Sequence, residues 1–386
     1  MNEYLIAADI GGTRLRVAVY PAGSTRPVNQ KRITTSGEGS PLERLKGLIA
    51  ELWPTDGAVR AIAAAAPGYL DPASGILFEA PNIPGWVNLP LRQELQDRFG
   101  VPAAIGNDAN LAAMGEWRYG AGQGHHNLLF LTISTGIGGG AIVNDQLLQG
   151  QRGLAGEFGH VTVMQDGPLC GCGQRGHLEA VASGTGIAHW VAEQLAAGEP
   201  SVFSGNPKPS AKEIGQAAAD GDALCVRAFA RAGYFMGQGL ANFLHLLNPS
   251  IVILGGGVSR SGALLMDPLH ASLRQHVISP EYLNGLVITT ATLGDDAGLM
   301  GALALAVVLP RSELADYSGW LAASRHHHRF AGCLRPAWLS GLHLLSQRFD
   351  ARPGVGKQRL HQSGNRHLPP ERGPLRHPAA QSADRV

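Results

Sequence analysis

Leu5-Ile6-Ala7-Ala8-Asp9-Ile10-Gly11-Gly12-Thr13, followed by Arg14-Leu15-Arg16-Val17-Ala18-Val19-Tyr20, is the stretch that decides the fold. An apolar run stops at a carboxylate, two glycines and a hydroxyl, and an alternating segment leads away from them. That pattern predicts two strands joined by a tight glycine turn. It returns about 125 positions later as residues 128–134, then Thr135-Gly136-Ile137-Gly138-Gly139-Gly140, then Ala141-Ile142-Val143. A repeated strand, glycine turn and strand predicts two related α/β lobes facing one cleft. The second glycine run superficially fits a dinucleotide fingerprint, but a strand follows it where that motif needs a helix.

Around these hairpins, residues 42–52, 89–99, 111–117, 210–233, 234–247 and 297–308 read as helices. Residues 58–66, 101–105, 251–254 and 287–291 read as buried strands. The expected division is an N-terminal lobe over residues 1–113, completed by a helix at 297–309, and a C-terminal lobe over 114–296. Residues 310–386 differ in kind: Arg, His, Pro and Gln follow in irregular order, with His326-His327-His328 and seven of the fifteen histidines. They read as a disordered extension or an appended out-of-frame end.

A chain of 386 residues exceeds one ordinary core, which agrees with two lobes. Its 44% hydrophobic and 16% charged residues describe a soluble globular protein. Many of the 52 glycines cluster, as in Gly255-Gly256-Gly257, which suggests backbone approaching a ligand closely. From Arg325 onward there are eleven basic against three acidic residues, leaving 20 basic and 27 acidic in the body. An acidic body argues against nucleic acid as the main partner. Four cysteines make no secreted disulfide framework at this length. Glu3 stands where a signal peptide carries lysines, and no apolar run is long enough for a bilayer. The expected setting is therefore cytoplasmic, away from membranes.

Three constellations carry chemistry. In Asp9-Ile10-Gly11-Gly12-Thr13, glycine amides and the Thr13 hydroxyl can cradle phosphate oxygens, and Asp9 can hold hydrated Mg²⁺; a plain hairpin turn is the alternative. Facing it, Thr135-Gly136 and the following glycines would form a second phosphate hairpin, with Gly255-Gly256-Gly257 as a loop for the nucleoside. Gly106-Asn107-Asp108-Ala109-Asn110 is the candidate reaction centre. Phosphoryl transfer to a sugar hydroxyl needs alignment and a proton acceptor, so Asp108 fits as base and Asn107 as a hydroxyl ligand; Asp108 as a helix N-cap is the alternative. Finally, His160, Cys170, Cys172 and His177 are four N and S donors of the kind a closed, structural Zn²⁺ site uses. Such a site would pin the loop bearing Glu157 and Glu179, which could bind sugar hydroxyls, and orient His160 through its other ring nitrogen. Two buried thiols beside incidental histidines are the alternative.

Together these motifs, with Gly156-Glu157-Phe158-Gly159-His160, resemble the ROK family of repressors and sugar kinases over about residues 4–308. The resemblance implies a two-lobed, actin-like or ribonuclease H-like fold and ATP-dependent phosphorylation of a hexose, glucose first. N-acetylglucosamine, N-acetylmannosamine and fructose are alternative substrates, and polyphosphate is an alternative donor. It implies donor contacts at Gly11, Gly12, Thr13, Thr135 and Gly136, and Asp108 as base. Sugar contacts are implied at Gly68, Asn82, Asn107, Asp108, Glu157, His160 and Glu179, and a homodimer or homotetramer is the implied assembly. His177 stands where the family's metal motif commonly has a third cysteine. Family repressors carry a DNA-binding domain before the first hairpin, where this sequence has eight residues before Asp9; a sugar-responsive regulator is the remote alternative.

Overall fold

In the computed structural model, which describes residues 2–206 and 208–309, each hairpin seeds its own sheet. The tail read as disordered lies outside the described residues. The chain runs β1 (Asn2–Ile10), β2 (Arg14–Pro21), β3 (Asn29–Thr34), α1 (Pro41–Glu51) and β4 (Gly57–Ala66). A small sheet of β5 (Tyr69–Asp71), β6 (Ile76–Glu79) and β7 (Val87–Leu89) precedes α2 (Leu91–Phe99), β8 (Ala103–Asn107) and α3 (Asp108–Tyr119). The second half begins with β9 (Leu128–Ile133), β10 (Ile137–Val143) and β11 (Gln146–Leu147). Helices α4 (Leu178–Ala182), α5 (Gly184–Ala196), α6 (Ala211–Ala219) and α7 (Ala223–Leu247) follow. β12 (Ile251–Gly255), α8 (Ala263–His276), β13 (Val287–Thr290) and α9 (Ala297–Val308) close it.

The two five-stranded sheets share one order, β3-β2-β1-β4-β8 and β11-β10-β9-β12-β13. In both, the first three strands are antiparallel and the last two join in parallel. The sequence repeat is thus a repeat of topology.

Side chains alternate across a strand, so each central strand serves two cores. β1 sends Tyr4, Ile6, Ala8 and Ile10 toward α1 and α2, and Leu5 and Ala7 toward α3 and α9. β9 sends Leu129, Leu131 and Ile133 among α5 to α8, and Leu128 and Phe130 against α3. Helix α3 therefore lies between the sheets, with Leu111 and Met114 in one core and Ala113 and Trp117 in the other. The lobe boundary expected after residue 113 falls inside this helix, because a single helix packs both sheets.

α3 and α9 cross where neither has a side chain: a Cβ on Gly301 would lie 1.8 Å from the Leu111 carbonyl oxygen, and one on Gly115 2.7 Å from that of Ala297. Glu116, fully buried, fastens the same crossing by accepting from the amides of Ala121 (2.9 Å) and Leu293 (2.8 Å) and the Thr292 hydroxyl (3.2 Å). The helices expected at 210–233 and 234–247 are divided elsewhere. Asp222 caps α7 by accepting from the Cys225 amide at 2.9 Å, and α7 continues through Gly233. Gly233 is an approach point, not a stop: its Cβ would lie 2.5 Å from the Leu265 carbonyl of α8. Among the described residues no helix is long and apolar enough to cross a membrane.

Two glycines in helices should respond oppositely to alanine. Gly301→Ala should lower the unfolding free energy by about 1–3 kcal/mol through overpacking. Gly47→Ala, exposed in α1 with nothing within 4 Å of the added methyl, should raise it by about 0.5–1 kcal/mol. Urea denaturation of both variants checks the pair.

Candidate active site

Strand β8 ends at Asn107 and α3 starts at Asp108, so the strand-to-helix junction delivers both side chains at the edge of the cleft. Asn107 is the N-cap: its Oδ1 accepts from the amides of Ala109 (3.0 Å) and Asn110 (3.1 Å). Its Nδ2 donates to the Gly68 carbonyl at 3.2 Å. Gly68 has φ +88°, and a Cβ there would lie 2.1 Å from the Glu79 carbonyl, so glycine is required. With the cap supplied by Asn107, the Asp108 carboxylate accepts from the Ala109 amide at 2.7 Å and more weakly from its own backbone amide. Burial pushes the Asp108 carboxyl up to about 6; the Ala109 amide opposes this, and the charges of Asp9 and Glu157 add to it.

Asp9, at the end of β1, is raised above the ordinary carboxylate range by burial, opposed by Arg16. Arg16 approaches it at 3.7 Å and also donates to the Asp295 carbonyl and the Asp296 carboxylate. The first turn of α9 presses on the same carboxylate, since a Cβ on Gly298 would lie 2.8 Å from Asp9 Oδ1.

A cavity of about 680 Å³ is lined by Asp9, Asp108, Thr135, Gly136, Gly256 and Gly257. A second, of about 710 Å³, is lined by Thr185, His189, Lys212 and Gln216. Ser134, Thr135, Gly257 and Arg260 line both. The Thr135 turn is anchored on the start of α5, where the Gly184 amide donates to Ser134 (2.8 Å) and that of Thr185 to Thr135 (3.2 Å). Gly256, at φ +85°, lies so close to β9 that a Cβ would be 2.2 Å from the Ile133 carbonyl. Gly11, Gly12 and Thr13 are not among the residues lining the first cavity. They form the turn from β1 to β2, closed by the Gly11 amide on the Arg14 carbonyl at 2.8 Å, with Gly12 against Asn82.

The remaining predicted residues gather on the metal loop. Glu179 accepts from the Ile137 amide at 2.9 Å and lies over Gly136, where a Cβ would meet its Oε2 at 2.3 Å. His160 directs Nε2 to Glu157 (3.8 Å) and Nδ1 to His177 Nδ1 (3.3 Å) and Cys170 Sγ (3.7 Å). Cys172 Sγ is 3.2 Å from His177 Nδ1, and the four donor atoms lie within 4.8 Å of one another. Tetrahedral Zn–N and Zn–S bonds imply ligand separations of roughly 3.3–3.8 Å, close to the 3.2, 3.3 and 3.7 Å of these three pairs.

Sequence reasoning missed His189, Lys212 and Arg260. They come from α5, α6 and the turn after β12, and no spacing along the chain marks their convergence. Tyr69 was also missed: burial raises its pKa first, and the nearby charges of Glu157, Cys172, Glu79 and Glu179 add to the rise.

Two like-ordered sheets about a carboxylate-lined cleft define the two-lobed, actin-like class of α/β proteins. Within it, the chain belongs to the ROK family, whose model matches residues 5–308. It is 35% identical over 308 residues to a glucokinase of Thermotoga maritima, covering 78% of this chain and 96% of that one. A ROK family glucokinase of Streptomyces griseus, solved with glucose and AMPPNP, is similar at 36% identity and TM-score 0.66, covering 78% of this chain and 99% of that one. A ROK family transcriptional regulator, a homolog of the E. coli MLC protein, is similar at 28% identity and TM-score 0.72, covering 79% of this chain and 78% of that one.

The raised Asp108 carboxyl makes a stability prediction whose sign is fixed. A carboxyl with a higher pKa folded than unfolded destabilises the fold as pH climbs from about 4 through 6, where the unfolded chain ionises first. Asp108→Asn should therefore be more stable than the parent above pH 6, with the difference closing toward pH 4. Thermal melts across that range measure it.

Proposed function

We propose that the chain is an ATP-dependent hexose kinase acting on glucose, with Asp108 as the base. The observation that carries the reading is the Asp108 carboxyl, poised near 6 at the first turn of α3 and lining the cavity that also contains Asp9, Thr135 and Gly136. A base with that pKa is ionised at neutral pH and still basic enough to take a proton in the transition state. The glucokinase relatives support glucose as the first substrate.

In this reading the hexose lies between the Asn107–Gly68 junction and the metal loop. Asn107, the Gly68 backbone, Asn82, Glu157, Glu179 and His160 Nε2 hold its hydroxyls and turn the 6-hydroxyl toward Asp108. The two cavities together accept a nucleotide, its base and ribose in the one lined by Lys212 and Gln216, its phosphates in the one lined by Asp9 and Gly136. Gly11, Gly12 and Thr13 approach from the facing lobe. Mg²⁺ held near Asp9 supplies charge neutralisation for the phosphates. Asp108 accepts the hydroxyl proton as the sugar oxygen attacks the terminal phosphorus in line, and the bond from that phosphorus to the bridging oxygen breaks opposite it, releasing ADP. His160, Cys170, Cys172 and His177 would hold a Zn²⁺ as a closed four-donor set, which would fix the loop and the His160 ring. The domain reading carries over with α3 as the shared element between lobes.

ADP release with Mg·ATP over a panel of hexoses tests the proposal. Glucose should be turned over, and Asp108→Ala should lose roughly 10²–10⁴-fold in kcat with glucose affinity little changed. The parent's kcat/KM should fall tenfold per pH unit below about 6, as the base protonates. Near-normal turnover in a folded Asp108→Ala protein removes Asp108 from its role. For the metal, elemental analysis should find one zinc per chain. Cys172→Ser should lose it and lower the melting temperature; full zinc retention in that variant rules out the ligand set.

A further inference from the structure

We propose that Arg260 is the cation that grips the donor's phosphate chain where it passes from the nucleoside cavity into the transfer cleft. The inference rests on the kinase reading and adds a residue that neither the sequence motifs nor that reading assigns.

The electrostatics of the cleft pose the problem. Asp9, Asp108 and Asp295 line the first cavity, and Arg260 is the only lysine or arginine lining it among the described residues. A magnesium-bound triphosphate is still an anion, and carboxylates within a few ångströms repel it in a partly desolvated cleft. Some fixed positive charge must offset this. Of these two cavities Lys212 lines only the second, whereas Arg260 lines both, together with Ser134, Thr135 and Gly257. These four residues mark the passage between the two spaces, which a nucleotide spanning them has to cross with its α- and β-phosphates.

Local structure aims the side chain there. Arg260 belongs to a single helical turn, Val258–Ser261, between β12 and α8. Val258 and Ser259 are buried, and the Ser259 hydroxyl donates to the Gly256 carbonyl at 2.8 Å, locking the turn. The close approach of Gly256 to Ile133 fixes the turn against β9. Arg260 itself is exposed, and its guanidinium makes no hydrogen bond or ion pair among the described residues. Five N–H donors in a planar fork match phosphate oxygens better than an ammonium does.

Calorimetric titration of adenosine, AMP, ADP and a non-hydrolysable ATP analogue into the parent, Arg260→Ala and Arg260→Lys tests this, with steady-state kinetics alongside. In Arg260→Ala, ADP and the analogue should bind about 10–100-fold more weakly, adenosine should bind as before, and KM for Mg·ATP should rise to match. KM for glucose should not move, and Arg260→Lys should recover part of the loss. Equal weakening of adenosine, or unchanged ADP binding, overturns the proposal while leaving the kinase reading intact. A parent protein that binds no nucleotide removes both.

Discussion

Asn107 uses both ends of one amide group, and much of the site depends on it. Its oxygen caps α3 and its nitrogen holds the Gly68 carbonyl. The cap sets where the helix starts, and hence that the next side chain is a carboxylate at the cleft. The Gly68 bond ties that start to the loop leading into the small sheet. Because the cap is taken by Asn107, Asp108 is relieved of the commonest task of an aspartate at a helix start. It is left under-solvated, near other carboxylates, with backbone amides as its partners. The elevated pKa follows from this division of labour between neighbours in sequence.

The second constraint is the crossing of α3 and α9. Bare backbone at Gly115 and Gly301 lets the helices approach closely, and Glu116 ties the crossing to the loop entering α9. That loop supplies Asp295 and Asp296 to Arg16, while the first turn of α9 bears on Asp9. Two carboxylates of the cleft, Asp9 and Asp108, are thus positioned by helices that pack on each other, although they lie far apart in sequence.

What could be read from the sequence was what local pattern encodes. The hairpins declared themselves because strand, glycine turn and strand is a short-range signal, and its recurrence carried over to two sheets of one order. The four metal-type donors were visible by residue type, and their convergence follows from a loop short enough to bring them together. Helix α7 was misdivided because a glycine in a helical run signals either a stop or a close approach, and only the position of α8 decides which. Asp222 held the real boundary, but an aspartate in a loop announces a cap only when its partner amide is known. The second cavity stayed hidden for a different reason: α5, α6 and the turn after β12 each contribute side chains, and the cavity exists only as the space between them.

The His160 ring joins two neighbourhoods, with Nδ1 among the sulfur and nitrogen donors and Nε2 toward Glu157. A planar ring cannot reorient at one edge without moving the other, so occupancy at the two edges shares a single coupling free energy. Reciprocity then applies: any ligand on the Glu157 side that favours one ring pose changes affinity at the four-donor cluster by the same factor. Under the proposed sugar and metal sites the loop would act as a two-input element, with sugar occupancy legible as metal affinity and metal occupancy as sugar affinity.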